Sequence, residues 1–195
     1  MRARLEVIPG GRHVSGRLGT LHVVVARDDD PPFSVDAAVF EEDTWLALST
    51  VSPIVRAPGH PVRVMTSVWE SEPEAPGSVV VRSGSPLRLL AIVHDLNADP
   101  TCTEDWVAAA LSGVFHEARE RGVQAIKLPL LGTQHGRLPA PRFMAVLREV
   151  LGDFLSSAPA DQLTLRRLWL VRDSEPGEGL LRTLGADQKP SRNGA

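Results

Sequence analysis

The chain has 195 residues, and its apolar fraction of 43% is enough to bury one core of ordinary domain size. Its net charge is −3 and its cationic residues form no patch in sequence, which argues against general nucleic-acid binding. One cysteine, Cys102, excludes an internal disulfide; with no apolar run long enough to span a bilayer and none behind the basic start "MRAR", a reducing cytoplasm away from the membrane is expected.

In chain order, "RLEVI" (4–8) and "TLHVVVA" (20–26) predict two strands of a hairpin, with the glycines between them in a long loop. "SVDAAVF" (34–40) predicts a short buried strand. Within 41–77, Val62, Met65, Thr66 and Trp69 have helical spacing behind Pro61, and "ESEPEAPG" is an acidic surface loop. From 78 onward "SVVVR" and "RLLAIVH" predict strands. Thr101 and Glu104 suggest a capping box for an amphipathic helix ending at Gly122. Then follow a strand in "VQAIKLPLL", a helix in "PRFMAVLREVLGDFL", a strand in "LRRLWLV" and a short helix in "GEGLLRTLG". Strands alternating with helices predict right-handed crossovers, a parallel sheet and helices on both faces. We expect one domain over 1–185 and a frayed polar tail over 186–195.

The stretch "LPLLGTQHGRLPAPRF" (128–143) links a strand to a helix at the sheet edge where open α/β folds bind ligands. Gly132 and Gly136 allow positive φ and close backbone approach. Successive amides in such a turn can surround an anion, and the following helix N-terminus favours it. An ordinary β–α connection needs glycines for the same geometric reasons, and spacing alone leaves both readings open.

"LPLLGTQHGRL" resembles the macro domain loop after the penultimate core strand, an apolar strand ending in Pro-Leu-Leu-Gly-Thr-x-x-Gly. "VDAAVF", "PGSVVVRSG" and "LLAIVHDL" resemble, in the right order, the family's Val-Asp-Ala-Ile-Val-Asn strand, Gly-Asp-Ala-Val-Val-Thr segment and Val-Ile-His strand. The likeness covers about 20–173 and is weak over 41–70. It implies a three-layer α/β/α sandwich with a mixed, largely parallel central sheet. It also implies binding of ADP-ribose or a related nucleotide, since the family binds ADP-ribose and some members hydrolyse it from proteins or related esters. Carried over by position, Gly132, Thr133, Gln134, His135 and Gly136 match the loop that holds the diphosphate and distal ribose. Asp28, with Asp29 as fallback, matches the acceptor for the adenine amino group, and Arg172 stands where an aromatic often covers adenine.

The chain departs from the family after its third strand. Where the family continues Asn-Ala-Ala-Asn, this chain has Phe40, Glu41, Glu42 and Asp43, and the first glycine-rich loop has no clear counterpart. Three carboxylates there would repel a diphosphate. Asp43 and His135 are the catalytic candidates if the chain is an ADP-ribosyl hydrolase. A ligand-free fold offering 41–77 to a protein partner is the rival to nucleotide binding. His94 is read as a structural hydrogen-bonding residue. Cys102 precedes a helix that could lower its pKa, although a lone loop cysteine is usually inert. His13, His22, His60 and His116 lack metal-ligand spacing, so neither a metal nor a cofactor is expected.

Overall fold

The computed structural model describes residues 3–6, 13–48, 72–157, 159, 163–172 and 177–187. The helix suggested within 61–70 lies outside the described residues, as do parts of the tail. The first strands are β1 (Ala3–Glu6), β2 (Val14–Leu18) and β3 (Leu21–Ala26). The single long loop predicted between two strands is therefore wrong, because it contains β2. Gly16, read as a loop glycine, pairs with Val23, while Gly19 at φ 61° makes the tight turn that sets Leu18 opposite Leu21.

The apolar run at 34–40 becomes β4 (Ala37–Asp43), and the acids Glu41, Glu42 and Asp43 extend it. Then come β5 (Val79–Arg82), β6 (Leu87–His94), α1 (Glu104–Glu120), β7 (Ala125–Leu128), α2 (Ala140–Ser156), β8 (Arg167–Val171), α3 (Gly177–Thr183) and β9 (Ala186–Asp187). Ala186 and Asp187 belong to the sheet rather than to the polar tail, since they pair with Ala3 and Arg4.

The helix limits follow from local chemistry. The cap of α1 is Thr103, not Thr101: Thr103 is extended, and its hydroxyl accepts from the Trp106 amide at 3.3 Å. The Thr101 carbonyl instead accepts from Asp95 N–H. Gly122, at φ 64°, ends the helix in the left-handed conformation, and Val123 N–H returns to the Ala118 carbonyl. In α2, Pro141 lies in the first turn, where its missing N–H costs no helical bond.

The sheet order is β5-β6-β4-β7-β8-β3-β2-β1-β9. The pairs β6–β4, β4–β7, β7–β8 and β8–β3 are parallel, and antiparallel pairs flank them at β5–β6 and β3–β2. On one face, Val23, Val39, Val93, Leu128 and Leu170 join the inner faces of α1, α2 and α3 in one buried cluster. Phe115 of α1 and Phe154 of α2 stack at 5.3 Å between centroids. Burying each such side chain contributes about 1.5–3 kcal/mol. On the opposite face Ala26, Trp169 and Val171 pack with Phe33 and Val35. The result is an α/β sandwich with a mixed, largely parallel sheet. Because its central strands are parallel, their carboxyl ends, and the loops that follow β3, β4 and β7, meet at one edge.

Candidate functional site

That edge holds a cavity of about 290 Å³. Asp28 enters it from the segment after β3, Phe40 and Glu41 from β4, Lys127 from β7, and Thr133, Gln134 and His135 from the loop after β7. Four residues expected to contact ligand, Asp28, Thr133, Gln134 and His135, are thus brought together. Arg172 is not with them: it lines a separate hollow with Arg27, Asp29 and Asp30. Asp29, the fallback for Asp28, forms a two-pronged pair with Arg27 at 2.9 and 3.0 Å.

The glycine loop is built around Cys102. Gly132 has φ 76° and its carbonyl accepts from Leu138 N–H at 3.0 Å. The Thr133 hydroxyl closes the turn on the Leu130 carbonyl at 2.7 Å. Gly136 has a different reason to be glycine. It is not at positive φ; a Cβ there would lie 2.5 Å from Cys102 Cβ and 2.8 Å from the Gly132 carbonyl oxygen. Arg137, not Gly136, takes the second left-handed position, at φ 56°. Burial of Cys102, with the Glu41 carboxylate nearby, raises its thiol from 9.0 to about 11. The adjacent helix does not lower it, and the thiol fits the reading of an inert cysteine.

The acids of β4 are neither loose nor equivalent. Glu42 is buried and accepts from Leu48 N–H at 3.1 Å. Asp43 is buried too; one of its oxygens accepts from Trp45 N–H at 2.6 Å and Ala47 N–H at 3.3 Å, so it caps the turn leaving the strand. It does not line the cavity. Glu41 does, and sequence reasoning missed what it contacts. Its Oε2 accepts from the Gly132 amide at 2.9 Å, and its Oε1 accepts from His94 Nε2 at 2.5 Å. His94, 1% exposed, is therefore a buried hydrogen-bonding support for the Glu41 carboxylate. His135 stands exposed at the rim, its ring edge-on to His94 with centroids 6.1 Å apart.

Lys127 is the other residue that sequence reasoning passed over. It pairs in register with Ala38 and Trp169, so its side chain leaves the sheet on the Trp169 face. The ammonium lies 5.1 Å from the Trp169 ring centroid and forms an ion pair with Asp28. Two signals were present: a lone charge inside the apolar "AIKL", and a lysine in a chain that otherwise uses arginine, with Lys189 the only other one. Among the described residues no group of three or more His, Cys, Asp or Glu could hold a metal ion, and no helix is long and apolar enough to cross a membrane.

No protein-family model and no curated protein matches the sequence. Solved structures match the fold. A macrodomain of Oceanobacillus iheyensis with ADP superposes with a TM-score of 0.63 at 14% identity, covering 87% of this chain and 93% of that one. The macrodomain of Trypanosoma brucei in complex with ADP-ribose gives 0.55 at 14% identity, covering 84% and 67%. The macro domain of ganglioside induced differentiation associated protein 2 gives 0.58 at 15%, covering 83% and 81%. The chain has the macrodomain fold. In this macrodomain frame the cleft lies at the carboxyl ends of β4 and β7, and the Glu41–Gly132 bond draws its two walls together.

Proposed function

We propose that the cleft binds ADP-ribose or a related nucleotide. One observation carries this reading: in a macrodomain fold, a single cavity collects Asp28, Thr133, Gln134 and His135 at the carboxyl edge of the sheet. Similar solved structures holding ADP and ADP-ribose support the ligand class. In this reading Asp28 selects the base and the 133–135 segment meets the ribose. The reading is one of binding: of the two catalytic candidates, Asp43 is held in a turn and does not line the cleft, and His135 at the rim is read as a ligand contact.

Thermal unfolding with ADP-ribose, NAD, ADP and AMP tests it. A ligand at about 100 times its Kd should stabilise the fold by roughly 2.7 kcal/mol, a shift of a few degrees. His135→Asp, which adds a carboxylate at an exposed rim position, should remove most of that shift while leaving the unliganded Tm in place. No shift with any of the four nucleotides at millimolar concentration would sink the proposal.

A further inference from the structure

We infer that Lys127 is the anion-binding point of the cleft, so that a ligand's phosphate is met by the Lys127 ammonium rather than by the Gly132 amide. The inference rests on the nucleotide reading and names the group that would recognise its charge. Two independent observations carry it. The Gly132 N–H already has an acid partner in Glu41, so a phosphate at that point would have to displace a carboxylate held by two donors. The charge at that end of the cleft is negative. At the other end, Lys127 is the only lysine or arginine among the described residues lining the cavity.

Its setting suits partner exchange. The Lys127 ammonium lies over the Trp169 ring at the cavity wall, which limits the rotamer freedom lost on binding. Its present partner, the Asp28 carboxylate, is 62% exposed against 24% for Lys127, and a pair whose acid stands in solvent is held only modestly. An arriving phosphate offers more negative charge and more acceptor oxygens than the single carboxylate oxygen now paired with Lys127. The exchange breaks no buried bond, unlike displacement of Glu41. Lys127 thus gives the cleft a point charge near the carboxyl end of β7, while the glycine loop supplies shape.

Calorimetric titration of wild type, Lys127→Met and Lys127→Arg with ADP-ribose, AMP and adenosine tests this. Lys127→Met should weaken ADP-ribose and AMP by about tenfold or more and leave adenosine within about twofold, because only the phosphate contact is lost. It should also flatten the dependence of affinity on salt. Lys127→Arg, which keeps the charge and the stacking, should stay close to wild type. Equal affinity of wild type and Lys127→Met for ADP-ribose would overturn the inference while leaving nucleotide binding intact. Equal weakening of all three ligands would also overturn it, by showing a packing role. If Lys127→Met does not fold, retained affinity with a steep salt dependence in Lys127→Arg supports the inference, and a flat dependence in wild type overturns it. Wild-type protein that binds none of the three removes the nucleotide reading itself, and the inference with it.

Discussion

Glu41 accepts the amide proton of Gly132 across 91 residues of sequence, at 2.9 Å. The same carboxylate accepts from buried His94, so one side chain ties together the ends of β4 and β6 and the loop after β7. A turn with the composition of an anion cradle is thus closed by an anion belonging to the protein. The acids that the sequence presents as repelling a diphosphate turn out, at this position, to organise the loop.

Removing that carboxylate should be costly. Glu41→Ala leaves His94 buried without its acceptor, and a loss of about 1–3 kcal/mol is expected in denaturant titration. Hydrogen exchange at the Gly132 amide should accelerate in the same variant. Glu41→Gln keeps a side-chain acceptor and should lose less. Unchanged stability and exchange in Glu41→Ala would show that the tie does not hold the loop.

The two kinds of glycine in the second half should respond oppositely to alanine. Gly136→Ala drives a methyl into Cys102 and the Gly132 carbonyl, and overpacking of this kind costs about 1–3 kcal/mol. Gly152 lies in the interior of α2, and a Cβ there meets nothing within 4 Å. Gly152→Ala should therefore stabilise by about 0.5–1 kcal/mol through helix propensity alone. Paired melting curves of the two variants check both signs.

Cys102 should be inert in the folded protein. With its thiol near 11, roughly a thousandth of it is thiolate at pH 8, and its side chain is buried besides. Iodoacetamide should modify the native chain far more slowly than the denatured one. The native state keeps a proton that the unfolded chain releases from about pH 9. The stabilising contribution is intact below pH 9 and declines as pH rises toward 11. Cys102→Ala should reduce that slope, and the chain has no tyrosine to titrate in the same window.

Asp36 should matter more than its exposed position suggests. One of its oxygens accepts from both Gln124 N–H and Ala125 N–H at 2.9 Å, which pins the start of β7 beside β4. Asp36→Ala should cost about 1.5–3 kcal/mol by the usual worth of bonds to a charged acceptor, and Asp36→Asn less. Urea denaturation of the three proteins measures the order.

The sequence was most legible where period and burial agree. The helical spacing of apolar residues from Val107 to Ala118 predicts α1, which buries one stripe, and the apolar run "LWLV" predicts β8, which is buried on both faces. Leu21–Ala26 is nearly continuous apolar sequence, as expected of a strand buried on both faces. β2 was hidden by Gly16 and Gly19, which read as loop although only Gly19 turns the chain. In the site, the glycine turn was visible as composition, but its filling was not. Glu41, His94 and Gly132 are far apart in sequence, and their meeting follows from sheet order, which no local pattern encodes. Lys127 was visible as a lone charge in a buried strand, yet its ion pair with Asp28 also depends on β7 and β8 lying beside β3.

β4 lies between β6 and β7, both of which follow it in the chain. The end of β4 therefore gains its Gly132 partner only after the crossover through α1 has been made, and loop closure must precede any gain from that bond. Such contacts belong late on the folding route. Their loss should speed the opening of the native protein while barely slowing its formation, so the cleft is where this molecule sets its lifetime rather than its rate of assembly.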